Sequence, residues 1–259
     1  METETMIRAW KFVHENTQGE LRSLSGDHTW TPGAWHHVQG HILACRTGFH
    51  SSQRIIDAFS YVHGTVLAEI EAKGDHDIGT DKSAYRSMRI TRAWRFTKKD
   101  AVEFAVFAAG LVIGIWEARH PGDERARKAI EAAKAWVADP SEENRQAAAS
   151  AAASAAASAA AAAAAAYASA AASASAAAAA ADAAASADAA AYAAAYAADA
   201  ADAAASAAYA AAAYAAAYAA ASAYAAAGAQ KKIYSQLEEW LQARVPQLEQ
   251  IFTIEQVTA

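Results

Sequence analysis

The chain has 259 residues, and its 22 Lys and Arg against 28 Asp and Glu give a formal net charge of −6 at pH 7. Because it has no basic excess to neutralise a phosphate backbone, the composition argues against general binding of DNA or RNA. Cys45 is the only cysteine, which excludes an intrachain disulfide and fits a reducing, cytoplasmic setting. No basic segment followed by an apolar run opens the sequence, so we predict no signal peptide.

Residues 1–96 predict a small α+β domain built on an antiparallel sheet. Three stretches, 6–13, 65–73 and 87–96, alternate apolar and polar side chains with the period of two that half-buried strands show. Residues 74–83 are rich in Gly and Asp and predict a loop.

One helix is predicted in this domain, ending at Val62. Ser51 or Ser52 would cap its first turn, and Gly64 would close it. Trp30 and Trp35 lie in a segment rich in turn residues, which places them on loops or short edge strands. They could act as lids over a small core or as groups that stack on a ligand.

From Thr97 the apolar period becomes helical. A first, mostly buried helix carries Gly110 and Gly114, which would leave a groove for the close approach of a second backbone. Asp123 is placed to cap a second helix, and Ser141 a third that leads into the next segment.

The stretch from Ala147 to Gly228 contains only Ala, Ser, Tyr and Asp before its final glycine. Alanine has the highest helix propensity, so helices are favoured throughout. A single exposed rod would need charged pairs, but the tract has no cation; a membrane span would need large aliphatic residues, and it has none. We therefore predict that the tract folds back into close-packed helices.

From Asp182 onward the larger side chains of the tract share one broad side at 100° per residue and leave an alanine face opposite. The pair Tyr192 and Tyr196 recurs as Tyr214 and Tyr218. These tyrosines could fill gaps between helices or form an aromatic surface that binds a partner. The alanine faces could also pair in a homo-oligomer.

Residues 229–259 return to an ordinary amphipathic pattern, with a helix broken near Pro246 and a short tail element. We expect Trp240 and its neighbours to cap the alanine layer. The predicted fold class is thus α+β: a small antiparallel-sheet domain at 1–96, then a large all-α, alanine-rich, close-packed helical domain at 97–259. Its parts are ordinary helices at 97–146, the tract at 147–228 and a capping helix at 229–259.

Two resemblances are visible in the sequence. The segments Ala9-Trp10-Lys11-Phe12 and Cys45 to Ser52, with Asp81-Lys82, resemble an uncharacterised domain of phage and bacterial proteins. The stretch from Phe107 to Ala133, running into the tract, resembles alanine-rich immunity proteins of bacterial toxin systems, and His120 to Ala133 is its most specific part. The resemblance implies an all-α C-terminal part and a role in biological conflict, and it supplies no catalytic residues.

The candidate chemistry of the first domain is limited. Arg46, His50, Lys82 and Arg86 could bind a phosphate or carboxylate if the sheet brings them together. Cys45 and His50 alone provide too few ligands for zinc, and the apolar run before Cys45 favours a buried strand cysteine over a nucleophile. No phosphate-binding glycine motif is present, so we predict neither a metal nor a cofactor.

These features favour a non-enzymatic binding protein or inhibitor of a conflict system, either an immunity protein or a phage-encoded anti-defence protein. It would act by stoichiometric binding of a toxin or host defence protein. The alternative is a sponge or enzyme for a small anionic ligand, such as a signalling nucleotide, in the first domain. A structural or ice-binding protein is disfavoured because the tract has no Thr ladder.

Overall fold

The computed structural model describes residues 6–24, 28–62, 64–119, 121–152, 154–155 and 227–256. Its strands are β1 (Ile7–Glu15), β2 (Leu21–Arg22), β3 (Thr29–Trp30), β4 (His36–His37), β5 (Phe49–Ser51), β6 (Val66–Ile78), β7 (Ser83–Arg95) and β8 (Gln250–Thr253). Its helices are α1 (Ile55–Tyr61), α2 (Lys98–Arg119), α3 (Arg125–Ala138) and a C-terminal helix (Ala227–Arg244). Two compact units result: a sheet unit, Met1–Thr97 with Leu237–Ala259, and a second unit, Lys98–Gln236.

The sheet is antiparallel in every pair, with the order β3-β2-β1-β6-β7-β4 and with β5 and β8 also paired to β7. The three strands predicted from alternation are confirmed as β1, β6 and β7. The loop predicted at 74–83 is wrong in extent, because β6 continues to Ile78 and β7 begins at Ser83. The two strands form a hairpin whose turn is residues 79–82.

The sheet closes on itself. Hydrogen bonds join β1 to β6, β6 to β7 and β7 to β5. Ser52, which follows β5, then exchanges backbone hydrogen bonds with Trp10 of β1, at 2.8 and 2.9 Å. Strands β1, β6, β7 and β5 therefore form a small ring with an inner and an outer side.

Alternation along the strands decides which side chains enter the ring. Ala9 and Val13 of β1 belong to a buried inner cluster with Ile70 of β6 and Met88 of β7. Trp30 belongs to the same cluster and is 2% exposed, so it is a core residue rather than a lid. On the other face of β1, three phenylalanine rings pack edge to face, namely Phe12, Phe59 of α1 and Phe96.

Helix α1 is capped by a distant residue. The predicted cap, Ser51 or Ser52, is wrong: the helix begins at Ile55, and the residue before it makes no side-chain cap. Instead, the Glu238 carboxylate accepts hydrogen bonds from the backbone N–H groups of Ile55 and Ile56, at 3.1 and 2.8 Å. A carboxylate at this end also suits the helix dipole. The C-terminal helix thus completes the first turn of α1.

We expect Glu238→Ala to destabilise the sheet unit, because two partly buried N–H groups lose their acceptor. Loss of a helix cap costs about 1 kcal/mol. Urea denaturation followed by circular dichroism measures the change. Glu238→Gln, which keeps one acceptor oxygen, should lose less. Glu124→Ala removes an exposed pair with Lys128 at 3.0 Å and should leave the midpoint unchanged; an equal loss in both alanine variants would contradict the capping role.

The helices predicted after Thr97 are confirmed in the second unit. Helices α2 and α3 have the expected places, and residues 142–152 are also helical, with Ser141 Oγ accepting from the N–H of Asn144 at 3.3 Å. In α3, Trp136 is buried. The groove predicted at Gly110 and Gly114 has no described occupant, since no described atom lies within 4 Å of a Cβ built at either position.

The predicted fold class is wrong in its second part. A large all-α domain at 97–259 is not found: after the sheet, the described residues contain three helices with complete bounds, α2, α3 and the C-terminal helix. The final segment returns to the sheet, because β8 pairs with β7. Its Ile251 and Phe252 pack on the inner cluster, so burial of these side chains favours a strand there.

Most of the alanine tract lies outside the described residues. The predicted two faces of the tract and its turns stay predictions, and so does the capping of the layer by Trp240. In the same C-terminal helix, Leu237 and Leu241 are buried, and both belong to the sheet unit.

Candidate functional site

The four predicted anion-binding residues lie near one end of the sheet unit but do not form one site. His50 is on β5, Arg46 is in the exposed turn before it, Lys82 is in the β6–β7 turn, and Arg86 is on β7. Among the described contacts, none joins Arg46 or Arg86 to His50. The tyrosines proposed as binding residues, Tyr192, Tyr196, Tyr214 and Tyr218, lie outside the described residues.

Arg86 has a structural role. Its guanidinium donates to Asp75 Oδ2, with the Nε atom at 3.0 Å, and to the carbonyls of Val38 and Gly40 at 3.1 and 3.0 Å. Asp75 therefore neutralises Arg86, and the two carbonyls fix the segment after β4 onto β7.

Lys82 contacts an aromatic ring. Its Nζ lies 3.7 Å from the centroid of Tyr61, a cation–π geometry. The Tyr61 hydroxyl donates to Asp81 Oδ2 at 2.7 Å. This hydrogen bond is the main reason that the pKa of Tyr61 is raised to about 12. Lys82, Tyr61 and Asp81 therefore form one compact surface group.

Large apolar side chains are exposed at the same end of the sheet unit. Leu43, Tyr61 and Ile78 are 38%, 42% and 58% exposed. The turn that carries Leu43 is held against the end of β6, because the N–H of Ala44 donates to Asp77 Oδ2 at 2.8 Å. We call Leu43, Arg46, Tyr61, Ile78 and Lys82 the hairpin-end surface. It holds three of the five large exposed apolar side chains found among the described residues.

Cys45 is not the buried strand residue that we predicted. It is exposed, in a turn, with φ 66°, a left-handed conformation. Its N–H donates to His50 Nε2 at 2.9 Å, so this imidazole is an acceptor in the fold. The described residues contain no group of three or more His, Cys, Asp or Glu side chains that could hold a metal ion.

A second cluster, which the sequence reasoning missed, lies inside the ring of strands. Lys11 of β1 is half-buried, and its Nζ donates to the His50 carbonyl at 3.0 Å. The ammonium lies 5.6 Å from the centroid of Trp30. Trp30 packs in turn on His28 and Phe49, with ring centroids 4.7 and 5.0 Å apart. We call Lys11, His28, Trp30, His36 and Phe49 the Lys11 cluster.

Three titratable groups in and beside the Lys11 cluster are shifted toward their neutral forms. Burial lowers the pKa of Lys11 to about 8. Burial also lowers the pKa of His28, assisted by the charges of His36 and Lys11. The pKa of His50 is lowered by burial first and then by Lys11 and Lys82. Perturbed groups of one sign that face each other mark a candidate functional site.

One signal in the sequence could have revealed Lys11. In the stretch that became β1, Lys11 occupies the same face as Ala9 and Val13, which is the apolar face. A charged residue at a core-facing strand position is unusual and therefore informative.

The family model of a domain of unknown function, DUF7666, matches residues 7–102. We call residues 7–102 the DUF7666 domain after this match. The predicted resemblance to an uncharacterised N-terminal domain is confirmed at this level. The DUF7666 match ends before β8, so the sheet includes a strand from outside it. No curated protein and no solved structure matches the chain.

Within the described ranges, no helix combines the length and apolar character that crossing a bilayer requires.

Protonation of His50 should destabilise the DUF7666 domain. Because its pKa in the fold lies below the unfolded value, the stabilising contribution of neutral His50 is present above about pH 6.5 and is lost as the pH falls further. We expect the thermal midpoint to fall from pH 7 to pH 5, and to fall less in His50→Asn. His41→Asn, at an exposed position, should follow the wild type. Parallel curves for wild type and His50→Asn would contradict this role.

Proposed function

We propose that this chain is a non-enzymatic binding protein that acts by stoichiometric occlusion of a protein partner, with the hairpin-end surface of the DUF7666 domain as its contact site. The observation that carries the proposal is that exposed Leu43, Tyr61 and Ile78 lie at one end of the sheet unit, where Lys82 contacts the Tyr61 ring. Isolated exposed apolar side chains are common, but a group of them beside a cation–π pair is typical of contact surfaces.

The composition of the hairpin-end surface suits recognition of a partner with mixed chemistry. Tyr61 is held by Lys82 and Asp81, so little side-chain entropy would be lost on binding. Exposed Arg46 adds a cation at the edge. A partner with an apolar centre and acidic residues at its rim would fit this arrangement.

A role in biological conflict follows from the resemblance of His120 to Ala133 to alanine-rich immunity proteins. The partner would then be a toxin or, for a phage-borne chain, a host defence protein. The tract tyrosines Tyr192, Tyr196, Tyr214 and Tyr218 remain part of this proposal as a second contact surface.

The experiment compares two aspartate variants in the native host. Ile78→Asp and Leu24→Asp replace side chains that are both 58% exposed, but only Ile78 belongs to the hairpin-end surface. Tagged wild type and Leu24→Asp should retain one protein at fixed stoichiometry, and Ile78→Asp should lose it. Retention by the wild type and both variants, or turnover of a substrate at sub-stoichiometric protein, would overturn the proposal.

A further inference from the structure

Lys11 is a cation inside a ring of strands without an acidic partner. Among the described residues, its one hydrogen bond is to the His50 carbonyl, and it takes part in no ion pair. Its cross-strand neighbour on β6 is Ala68, which is fully buried. A buried charge without a counterion is costly, so the fold keeps Lys11 at a cost in stability.

The nearby carboxylates on β6 are engaged elsewhere. Glu69 pairs with Arg92 at 2.7 Å, and Glu71 pairs with Arg89 at 2.6 Å. Both alternate with Ala68 and Ile70, so they lie on the side opposite the inner cluster. Neither acid can serve as the counterion of Lys11 without breaking its own pair.

Further donors on this inner side have no partner. The Ser51 hydroxyl, the Tyr85 hydroxyl and His28 Nε2 are buried and make no hydrogen bond within the part of the chain that the structure describes. Ser51 follows His50, whose carbonyl binds Lys11, and Tyr85 pairs with Phe49 across β5 and β7. Unsatisfied buried polar atoms are rare in native folds and call for an explanation.

We propose that the Lys11 cluster, with Ser51 and Tyr85, is a binding site for the phosphate group of a small molecule. Lys11 supplies the charge, and the Ser51 and Tyr85 hydroxyls and the His28 ring supply neutral donors. A phosphate has more acceptor oxygens than a carboxylate and matches this number of donors better. The half-exposed His28, His36 and Phe49 leave one side of the cluster open to solvent.

This site is separate from the hairpin-end surface, so the two proposals can fail independently. A Lys11 variant that loses phosphate binding should still retain the protein partner, and Ile78→Asp should still bind phosphate. Phosphate binding that depended on Ile78 would contradict the separation.

The test titrates the full chain with inorganic phosphate at constant ionic strength and pH 7, followed by tryptophan fluorescence and by the thermal midpoint. The wild type should give a saturable response. Lys11→Met should bind at least about tenfold more weakly, since one charge-assisted hydrogen bond is worth that much. The matched control, Lys128→Met, removes an exposed lysine of α3 and should bind as the wild type does.

Tyr85→Phe provides a second variant that removes only a hydroxyl without a partner. It should fold normally and bind phosphate several-fold more weakly. The proposal is overturned if the wild type shows no saturable response, if acetate binds more tightly than phosphate, or if Lys11→Met and Lys128→Met bind equally.

Discussion

Gly64→Ala is expected to destabilise the DUF7666 domain strongly. Gly64 is buried just before β6, and a Cβ at this position would lie 2.4 Å from the Val13 carbonyl oxygen and 2.9 Å from the Val13 nitrogen. Both atoms belong to the backbone of β1, which is paired to β6 and cannot rotate away as a side chain could. The strand would have to shift. We expect a loss of roughly 3 kcal/mol, the upper end of the range for overpacking.

The same substitution at Gly110 should have the opposite sign. Gly110 is exposed within α2, and no described atom lies within 4 Å of the built Cβ. Alanine there removes the entropic cost of glycine in a helix, a gain of about 1 kcal/mol. Urea denaturation of both variants measures the contrast. A Gly64→Ala protein with the wild-type midpoint would show that the backbones do not approach this closely.

Gly64 also shows where sequence reasoning reached the right residue for the wrong reason. A glycine after an amphipathic stretch predicts a helix that closes in the left-handed conformation. Gly64 has no positive φ, and what requires glycine is the contact with Val13, a residue 51 positions earlier. Local patterns can identify such a position, but they cannot reveal a contact between distant segments.

The strands were predictable because alternation is a local signal. β1, β6 and β7 each follow a period of two, and burial of one face fixes their register. The cap of α1 by Glu238 and the pairing of β8 with β7 were not predictable, because each joins residues more than 150 positions apart. The error in fold class also comes from a contact between distant residues. Composition assigned the residues of β8 to the helical domain, but they pair with β7 in the sheet.

The candidate site was predicted in part. His50 was identified, but the cation that contacts it was not: it is Lys11, 39 positions earlier, rather than Arg46 or Arg86. Arg86 was predicted to bind an anion because the sequence cannot show that its guanidinium already donates hydrogen bonds to Asp75 and two backbone carbonyls. Lys11 was overlooked because a single lysine in a strand is normally assigned to the solvent-facing side. Only the alternation of its neighbours shows that it lies on the same side as Ala9 and Val13.

Lys11→Met should stabilise the protein at neutral pH and destabilise it at high pH. The pKa of Lys11 is about 8 in the fold, against 10.5 for an ordinary lysine, so the folded state binds fewer protons between these values. Stability of the wild type is therefore reduced below pH 8 and recovers as the pH rises from 8 to 10.5. This shift corresponds to a free energy on the order of 3 kcal/mol. It is an upper bound, because part of the side chain meets solvent, which screens the charge.

The methionine side chain has a similar length and no charge, so it removes the desolvation cost but also the hydrogen bond to His50, worth about 1 kcal/mol. At pH 7 the removal of the desolvation cost is the larger effect, so the variant should be the more stable protein. At pH 10.5 Lys11 is neutral in the wild type, so no charge desolvation remains to be relieved. The variant has lost only the hydrogen bond and should be the less stable protein. The two curves of unfolding free energy against pH should thus cross between pH 8 and 10.5 when measured by urea denaturation in phosphate-free buffer. Parallel curves over this range would mean that the Lys11 ammonium is fully solvated. Adding phosphate at pH 7 should reduce the difference in unfolding free energy between variant and wild type, because phosphate stabilises the wild type alone.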